Sequence, residues 1–204
     1  VVPGDLRQVL CAKGRRHGNG LMVFANGDRY EGDWKKGNID GEGTYSYAQG
    51  GYTYTGHFKK GFVHGHGTFR FNNGNVLEGD WTGMGTGTGY LLFADGTRYD
   101  GAFVNGAPQG QGIKVWSNCD RYEGNFVQGH MQGLGKMTHK DGETYTGMWQ
   151  TDRRNGQGQS TYPDGAHYEG NWQNNLFHGQ GTYTTPEGEV LSGNWINGKL
   201  EGEQ

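Results

Sequence analysis

The sequence has few apolar residues and no long apolar run. Hydrophobic residues occupy 31% of the 204 positions and glycine alone occupies 42, which leaves little material for one large central core. The longest apolar stretch is only a few residues, so the sequence predicts neither a transmembrane segment nor a secretory signal. We therefore expect a cytoplasmic protein with an extended fold rather than a compact enzyme.

An excess of basic charge and the common catalytic motifs are also missing. The formal net charge is -3 and the isoelectric point is near 6.2, whereas a nucleic-acid-binding domain is normally basic. The sequence contains no GxSxG nucleophile motif, no GxxxxGK[ST] phosphate loop and no HExxH zinc motif. We expect no enzymatic activity, no cofactor and no nucleic-acid partner.

What the chain does contain is an internal repeat of about 23 residues. Each copy opens with a pattern of the form YEGxW, continues through a glycine-rich turn and ends in GxGxxxY. The first clear copy starts at Tyr30, and later copies start at Tyr54, Leu77, Tyr99, Tyr122, Tyr145, Tyr168 and Leu191. We interpret residues 1–204 as a single array with a degenerate first repeat (1–29), seven full repeats (30–190) and a terminal half-repeat (191–204).

Alternation inside each repeat predicts β-strands. Tyr30, Gly32 and Trp34 alternate with acidic residues, and a period of two places alternate side chains on opposite faces of a strand. Neighbouring strands lie about 4.8 Å apart, and each repeat contacts only its neighbours. We predict an all-β fold in which a twisted antiparallel meander forms an elongated solenoid.

Two kinds of link join these strands. Dipeptides such as Asn26-Gly27 predict two-residue hairpin turns between repeats, whereas the link inside a repeat, from Lys35 to Asp40, is longer. The glycine of this second link is replaced by Asp152 and Asn175 in two repeats. Asp and Asn tolerate a left-handed backbone best among non-glycine residues, so we expect the loop conformation to persist there.

Stacked repeats would arrange like residues in columns. One column holds the tyrosines that open the repeats, and a second holds the large rings Trp34, Phe58, Trp81, Phe103, Phe126, Trp149, Trp172 and Trp195. A single-layer sheet has nothing else to bury, so these columns predict the core. The alternative is a peptide-binding groove for a protein partner, in which Tyr122, Phe126 and Tyr145 are exposed.

The pattern Y-E-G-x-W-x-x-G-x-x-x-G-x-G, repeated along nearly the whole chain, resembles the MORN repeat. The arrangement is similar to the carboxy-terminal repeats of protozoan cytoskeletal proteins built almost wholly of MORN repeats. The resemblance implies a solenoid of about nine MORN-type β-hairpin repeats that dimerises and organises cortical or cytoskeletal structures near membranes. It also implies cytoskeletal or cortical proteins as partners. The repeat that begins at Leu77 departs from the pattern because it is one residue short.

Basic residues cluster in the equivalent links of the first repeats. This basic stripe comprises Lys13, Arg15, Arg16, Lys35, Lys36, Lys59 and Lys60. A cluster of four to eight bases can attract an anionic surface, so a phosphoinositide or another anionic lipid is a second candidate partner. The alternative is an ordinary solubilising edge, because salt screens loosely spaced exposed charges.

The final half-repeat predicts an open sheet edge, and an unpaired edge invites pairing with another chain. Joining two such ends about a twofold axis would close the edge. The predicted dimer interface comprises Trp172, Phe177, Tyr183, Leu191, Trp195, Ile196 and Leu200. The leading hypothesis is therefore a structural scaffold that homodimerises end to end.

The two cysteines, Cys11 and Cys119, are almost five repeats apart in the sequence. At the strand spacing given above this separates them by roughly 45 Å, whereas a disulfide bridges at most about 7 Å. We expect free thiols, with a bond between two chains left open. Cys119 with His130 or His139 could form part of a zinc site, but the spacing matches no standard ligand pattern, so we predict no metal.

Overall fold

The computed structural model describes residues 11–12 and 14–202, and in this part of the chain all regular structure is β-strand. No helix there is long and apolar enough to cross a membrane. The described chain divides into two compact units. Unit 1 reaches to Gly96 and includes Phe103–Gly106, and unit 2 consists of Thr97–Ala102 and the residues from Ala107 onwards.

Unit 1 is an antiparallel meander. Its strands are β1 (Cys11–Ala12), β2 (Arg15–Arg16), β3 (Gly18–Val23), β4 (Arg29–Lys35), β5 (Asn38–Tyr47), β6 (Tyr52–Lys59), β7 (Phe62–Phe71), β8 (Val76–Gly83) and β9 (Thr86–Leu92). Strand β1 pairs with β2, and from β3 to β9 each strand pairs with the next in the chain. Strand β10 (Arg98–Val104) contributes residues to both units.

Unit 2 repeats the same plan. Its further strands are β11 (Ala107–Val115), β12 (Arg121–Val127), β13 (His130–Thr138), β14 (Thr144–Gln150), β15 (Arg153–Thr161), β16 (His167–Gln173), β17 (Leu176–Thr184), β18 (Val190–Ile196) and β19 (Lys199–Leu200). Each pairs antiparallel with the next. The predicted all-β antiparallel meander is confirmed.

The core consists of the two predicted columns. The tyrosines and large rings of these columns are buried, and they alternate in edge-to-face contacts. In unit 1 the Tyr30 ring centroid lies 5.4 Å from both Trp34 and Phe58, and in unit 2 Tyr122 lies 5.2 Å from Phe126. Such T-shaped contacts add to the stabilisation that comes from the buried area. The interpretation of the columns as core is therefore confirmed.

Most repeats contain a β-bulge just before the large ring. In β4 the pairing with β5 shifts between Gly32 and Trp34, and the same shift recurs in β6, β12, β14 and β16. Because a bulge leaves a residue without a ladder partner, its carbonyl needs another donor. The repeat tyrosine supplies it: the Tyr30 hydroxyl donates to the Asp33 carbonyl (3.1 Å) and Tyr145 to Met148 (2.9 Å).

The repeat that begins at Leu77 has its bulge in a different place. Strands β8 and β9 stay in register through the pair Trp81–Gly87, and the shift falls between Trp81 and Gly83. In this repeat no bulge carbonyl lies before Trp81, so a tyrosine hydroxyl at position 77 would have no such acceptor. The displaced bulge therefore accounts both for the missing residue and for the leucine at position 77.

The two kinds of link are the reverse of the sequence prediction. Lys35 pairs with Asn38, and the residues between them, Lys36 and Gly37, have φ of 52° and 92°. Positive φ at both positions is the type I′ two-residue turn, whose twist matches that of paired strands. Asp152 (63°) and Asn175 (72°) adopt the left-handed conformation as predicted.

The links that carry Asn-Gly or Asp-Gly are the longer ones. The Phe24 amide donates to the Asp28 carbonyl (2.8 Å) and the Gly27 amide to the Phe24 carbonyl (2.9 Å). Among the loop residues between Phe24 and Asp28 only Gly27 has a positive φ, of 88°. The prediction of two-residue turns here is wrong, because a type I turn followed by one left-handed residue favours the same dipeptide.

Candidate functional site

The predicted dimer interface combines core residues with accessible ones. Trp172 and Trp195 are buried, and their indole N–H groups donate to the carbonyls of Gly158 (3.1 Å) and Gly181 (3.0 Å). These two rings are core, which corrects their assignment to a contact surface. The remaining five positions, namely Phe177, Tyr183, Leu191, Ile196 and Leu200, are partly or well exposed.

Strand β18 is only partly covered on its outer side. The short β19 pairs with its end through Trp195–Leu200 and Ile196–Lys199, and the Glu201 amide donates to the Asn194 carbonyl (2.8 Å). Over residues 190–193, no strand in the described chain pairs with the outer edge of β18. Val190 (61% exposed) lies in this open stretch, and Ile196 (46%) lies further along β18, where the strand pairs with β19. The edge is thus shorter than the sequence predicted, but it is present.

Two cavities open on the inner face of unit 2. One, of about 570 Å³, is lined by Met131, Trp149 and Trp172 and by the polar side chains of His139, Glu143, Asp152 and Arg154. The other, of about 650 Å³, is lined by Tyr183, Leu191 and Trp195. Both cavities include Tyr162, Phe177 and Gly198 in their walls. The apolar residues of the predicted interface therefore lie beside a continuous recess.

A charged cluster interrupts the aromatic lining of this recess. Arg154 stands opposite Trp149, where other repeats have Ile39, Val63, Met131 or Phe177. Its side chain is only 13% exposed and forms an ion pair with Glu143 (2.6 Å). The guanidinium also lies over the rings of Tyr145 (5.0 Å) and Trp172 (5.2 Å). These contacts offset the cost of holding a charge in a largely apolar place.

His139 connects Arg154 to a second carboxylate. The Arg154 Nη2 lies 3.3 Å from His139 Nε2, and His139 Nδ1 lies 3.0 Å from Asp120 Oδ2. Since a guanidinium has no acceptor, Nε2 must accept, and the imidazole proton is on Nδ1 and donates to Asp120. The Lys140 amide, which donates to Asp120, is the main cause that lowers the pKa of this carboxyl below its ordinary value.

Sequence reasoning missed this cluster because an arginine is normally expected at the surface. Two substitutions were available as signals: Ser160 stands where other repeats have bulky side chains, and His139 stands where they have a ring such as Tyr162. The small Ser160 makes room for Arg154, whose Nη1 donates to the serine hydroxyl (3.1 Å). A charge in the core is identifiable only when its compensating substitutions are considered together.

The predicted peptide groove is corrected by the structure. Tyr122, Phe126 and Tyr145 are each 1% exposed or less. The Tyr122 and Tyr145 hydroxyls are held by the carbonyls of Asn125 and Met148. Because these rings fill the core between paired strands, they cannot provide an accessible clasp for a partner segment.

The residues of the basic stripe lie in and beside successive turns of unit 1, and backbone hydrogen bonds connect these turns. The Gly37 amide donates to the Arg16 carbonyl (2.9 Å) and the Gly61 amide to the Ile39 carbonyl (2.7 Å), so each turn is tied to the one before it. Within the described chain, Arg15, Arg16, Lys35, Lys36, Lys59 and Lys60 form no ion pair. Arg16 lies over the Trp34 ring (4.9 Å). Lys13 lies outside the described residues.

The zinc site considered for Cys119 with His130 or His139 has no support in the described residues. Cys119 is exposed and free, whereas the side chain of Cys11 lies outside the described residues. His130 Nδ1 is bonded to Asp152 (2.6 Å), and both nitrogens of His139 are engaged as described above. In the part of the chain that the structure describes, no three His, Cys, Asp or Glu side chains are placed to hold a metal ion.

Comparison with known families identifies the repeats. The family model described as MORN repeat matches residues 12–29, 30–52, 54–76, 99–120, 122–144, 145–167, 168–190 and 192–203. The chain belongs to the MORN-repeat family. The matched segments leave out residues 77–98. This is the repeat with the displaced bulge, so the MORN repeat that departs in sequence is also the one that departs in register.

Several solved structures are similar to this chain at low identity. A mutant TCP10 domain of Danio rerio CPAP is 18% identical, covering 91% of this chain and 92% of that chain, with a TM-score of 0.47. The TCP domain of Drosophila melanogaster SAS-4 (dCPAP), in complex with a proline-rich motif of Ana2 (dSTIL), is 14% identical, covering 92% and 98%, with a TM-score of 0.40.

Proposed function

We propose that this MORN-repeat chain is a non-enzymatic scaffold that homodimerises through its C-terminal repeats and organises a cytoskeletal or membrane-associated assembly. Its partners would be a second copy and cytoskeletal or cortical proteins in the cytoplasm, near a membrane. The observation that supports pairing is the outer edge of β18 over residues 190–193, which begins at the exposed Val190, with the exposed Ile196 further along the same strand. Apolar edges of this kind favour strand pairing between chains.

The recess beside the edge supports the same proposal. Phe177, Tyr183 and Leu191 line a cavity of about 650 Å³, and apolar residues around such a recess gain by losing contact with water. A twofold arrangement would use each surface twice, so that both copies close their edges together. Arg154 and Glu143 lie in the adjoining cavity and would limit which apolar surface fits there.

Light scattering coupled to gel filtration tests the proposal. The chain has a mass of 22.5 kDa, and we expect twice that value over a range of concentrations. The variant Val190→Glu with Ile196→Glu places charges at the edge without removing core, and it should give monomers. As a control, Val23→Glu changes another exposed valine (59%) in unit 1 and should leave the dimer intact. A wild-type chain that stays at 22.5 kDa would overturn the proposal.

An anionic membrane surface is a second candidate partner. Six described bases of the basic stripe lie without ion-pair partners on linked turns, and Phe62, separated from Lys60 by Gly61, is 75% exposed. Bases attract anionic headgroups, while an exposed aromatic ring favours the membrane interface. Vesicles of phosphatidylcholine with and without phosphatidylinositol bisphosphate, sedimented with the protein at two salt concentrations, test this candidate.

Charge reversal gives the matched comparison for the lipid candidate. Changing Lys35, Lys36, Lys59 and Lys60 to Glu should abolish binding to the anionic vesicles. Changing Lys140 and Lys199 to Glu alters exposed lysines elsewhere and should have little effect. Equal binding by the wild type and the fourfold variant would remove this candidate and leave the scaffold proposal untouched.

A further inference from the structure

The sequence Arg-Arg-x-Gly-x-Gly occurs twice, at residues 15–20 in unit 1 and at residues 153–158 in unit 2. We call it the double-arginine motif. Its second arginine is Arg16 in the first copy and Arg154 in the second. Both arginines occupy the repeat position that is apolar in other repeats, where it holds Ile39 or Val63. Each copy therefore places a guanidinium where the array normally has an aliphatic side chain.

The two copies have the same surroundings. The Arg16 guanidinium lies 4.9 Å from the ring centroid of Trp34, and the Arg154 guanidinium lies 5.2 Å from that of Trp172. In each copy the indole N–H of this tryptophan donates to the carbonyl of the last glycine of the motif, at 3.3 Å in unit 1 and 3.1 Å in unit 2. Both guanidinium groups are thus held on a fixed ring.

The two arginines differ in their polar partners. Arg154 forms an ion pair with Glu143 (2.6 Å), donates to the Ser160 hydroxyl (3.1 Å) and lies 3.3 Å from His139 Nε2. Within the described chain, Arg16 forms no ion pair and its guanidinium donates no hydrogen bond. The first copy has the stacked guanidinium of the second without its carboxylate.

The carboxylates of the neighbouring strands are engaged elsewhere. Asp33, beside Trp34 in β4, accepts from the Asn19 side chain (3.3 Å) and from the Glu42 amide (3.1 Å). Asp40 in β5 accepts from the Lys60 amide (3.2 Å). Since these carboxylates satisfy other donors, the guanidinium of Arg16 keeps its hydrogen-bonding capacity for a group from outside.

We propose that Arg16 binds the carboxylate of a glutamate side chain from an acidic segment of a partner protein. The Arg154–Glu143 pair indicates this chemistry, because the equivalent stacked guanidinium pairs with a glutamate there. A guanidinium offers a planar fork that matches a carboxylate, and stacking on Trp34 lowers the entropy lost on binding. Arg16 is partly exposed, so a side chain can reach it.

The charges around Arg16 favour an acidic segment. Arg15, Lys35 and Lys36 are exposed, and the Gly37 amide donates to the Arg16 carbonyl (2.9 Å), so the lysine turn lies beside the site. These charges attract an acidic segment from a distance and are screened by salt, whereas the stacked guanidinium makes the short-range contact. The site does not involve the β18 edge, so it is independent of the scaffold proposal.

Nine-residue peptides with acetylated and amidated ends provide the probe. Their background is Gly/Ser, and their three central residues are all Glu or all Gln. Binding to the full chain would be measured by NMR titration at low salt, following the indole N–H signal of Trp34. We expect the Glu peptide to bind more tightly by on the order of tenfold and to shift this signal. Equal binding of the two peptides would overturn the proposal.

Neighbouring arginines give matched variants. Arg16→Gln should weaken the Glu peptide by about tenfold, whereas Arg15→Gln removes the same charge at an exposed position and should weaken it less than about threefold. Arg16→Lys keeps the charge without the fork and should not restore the affinity. Arg16→Ile, which copies Ile39, replaces the Gln variant if that one fails to fold. Equal losses with Arg15→Gln and Arg16→Gln would contradict a defined site.

Further measurements separate the other occupants. We expect Arg16→Gln to leave the mass by light scattering and the binding to phosphoinositide vesicles as they are in Arg15→Gln. A mass that falls only with Arg16→Gln would make a second copy the occupant, and vesicle binding lost only with Arg16→Gln would make it a lipid headgroup. A Gln peptide with a free C-terminal carboxylate that matches the Glu peptide would assign a chain end. Each of these three results would overturn the proposal.

Discussion

At the scale of the residue, the two-residue turns hold side chains in a conformation that few residues adopt. Lys36, Lys60, Asn105, Gln128, Asn174 and Asn197 have φ between 49° and 52°, and the β-branched Thr151 has φ of 47°. A left-handed backbone costs roughly 1–2 kcal/mol for most residues, and asparagine tolerates it better than threonine does. These residues keep the strained conformation because the twist of a type I′ turn matches the twist of the two strands that it joins.

Thr151 offers a direct measure of this strain. Thr151→Asn should raise the free energy of unfolding by about 1 kcal/mol, because asparagine tolerates the left-handed backbone. Chemical denaturation measures the change, and a melting point raised by about 2–4 °C would accompany it. Thr161→Asn, on an ordinary strand position of β15, should give no gain. A stability unchanged at position 151 would show that the turn is not strained.

At the scale of the element, each β-bulge that precedes a large ring is stabilised by a hydrogen bond from the tyrosine of the same repeat. Wherever the bulge precedes the large ring, a tyrosine hydroxyl donates to its carbonyl, as Tyr54 does to His57 (3.1 Å) and Tyr168 to Asn171 (2.9 Å). Glycines opposite leave room for the hydroxyl, since a Cβ on Gly67 would overlap the Tyr54 ring. Where the bulge is displaced, leucine replaces the tyrosine.

Removing the hydroxyl of one repeat tyrosine tests how much its hydrogen bond to the bulge carbonyl contributes to stability. Tyr168→Phe should lower the free energy of unfolding by about 1–2 kcal/mol, because the part-buried Asn171 carbonyl loses its donor. The control Tyr183→Phe removes a hydroxyl that has no hydrogen-bond partner in the described chain and should change stability little. Leu77→Tyr should destabilise, since its hydroxyl would find no bulge carbonyl. Stabilisation by Leu77→Tyr would contradict the link between bulge and tyrosine.

At the scale of the whole molecule, the buried tyrosines make stability depend on alkaline pH. Burial raises the pKa of Tyr54, Tyr99, Tyr145 and Tyr168 from the ordinary value of 10.0 to about 12. The unfolded chain therefore loses these protons at lower pH than the folded chain does. The contribution of the neutral hydroxyls to stability is complete below pH 10 and is lost as the pH rises towards 12.

Denaturant unfolding at a series of pH values measures this loss. We expect the free energy of unfolding to be steady up to about pH 9 and to fall steeply between pH 10 and 12, together with the rise of tyrosinate absorbance. Tyr168→Phe removes one titrating group and should make the fall shallower. A protein equally stable at pH 9 and pH 12 would contradict the burial of these hydroxyls.

The strand order, the core columns and the family could all be predicted from the sequence. The period of two and the period of about 23 residues fix which side chains face inward, and local alternation suffices for that. The left-handed positions at Asp152 and Asn175 were predicted for the same local reason. The turn types were not, since Asn-Gly suits both a two-residue turn and a longer one.

What the sequence determined by itself is the repeat, because each repeat depends on its own residues and those of its neighbours. The tertiary structure decided which rings are accessible, as Trp195 and Tyr122 show. It also decided that Arg154 of β15 meets His139 and Glu143, which lie on the link between β13 and β14. Burial and cavities depend on how strands pair across the sheet, and a one-residue change in a turn alters that pairing without altering the repeat.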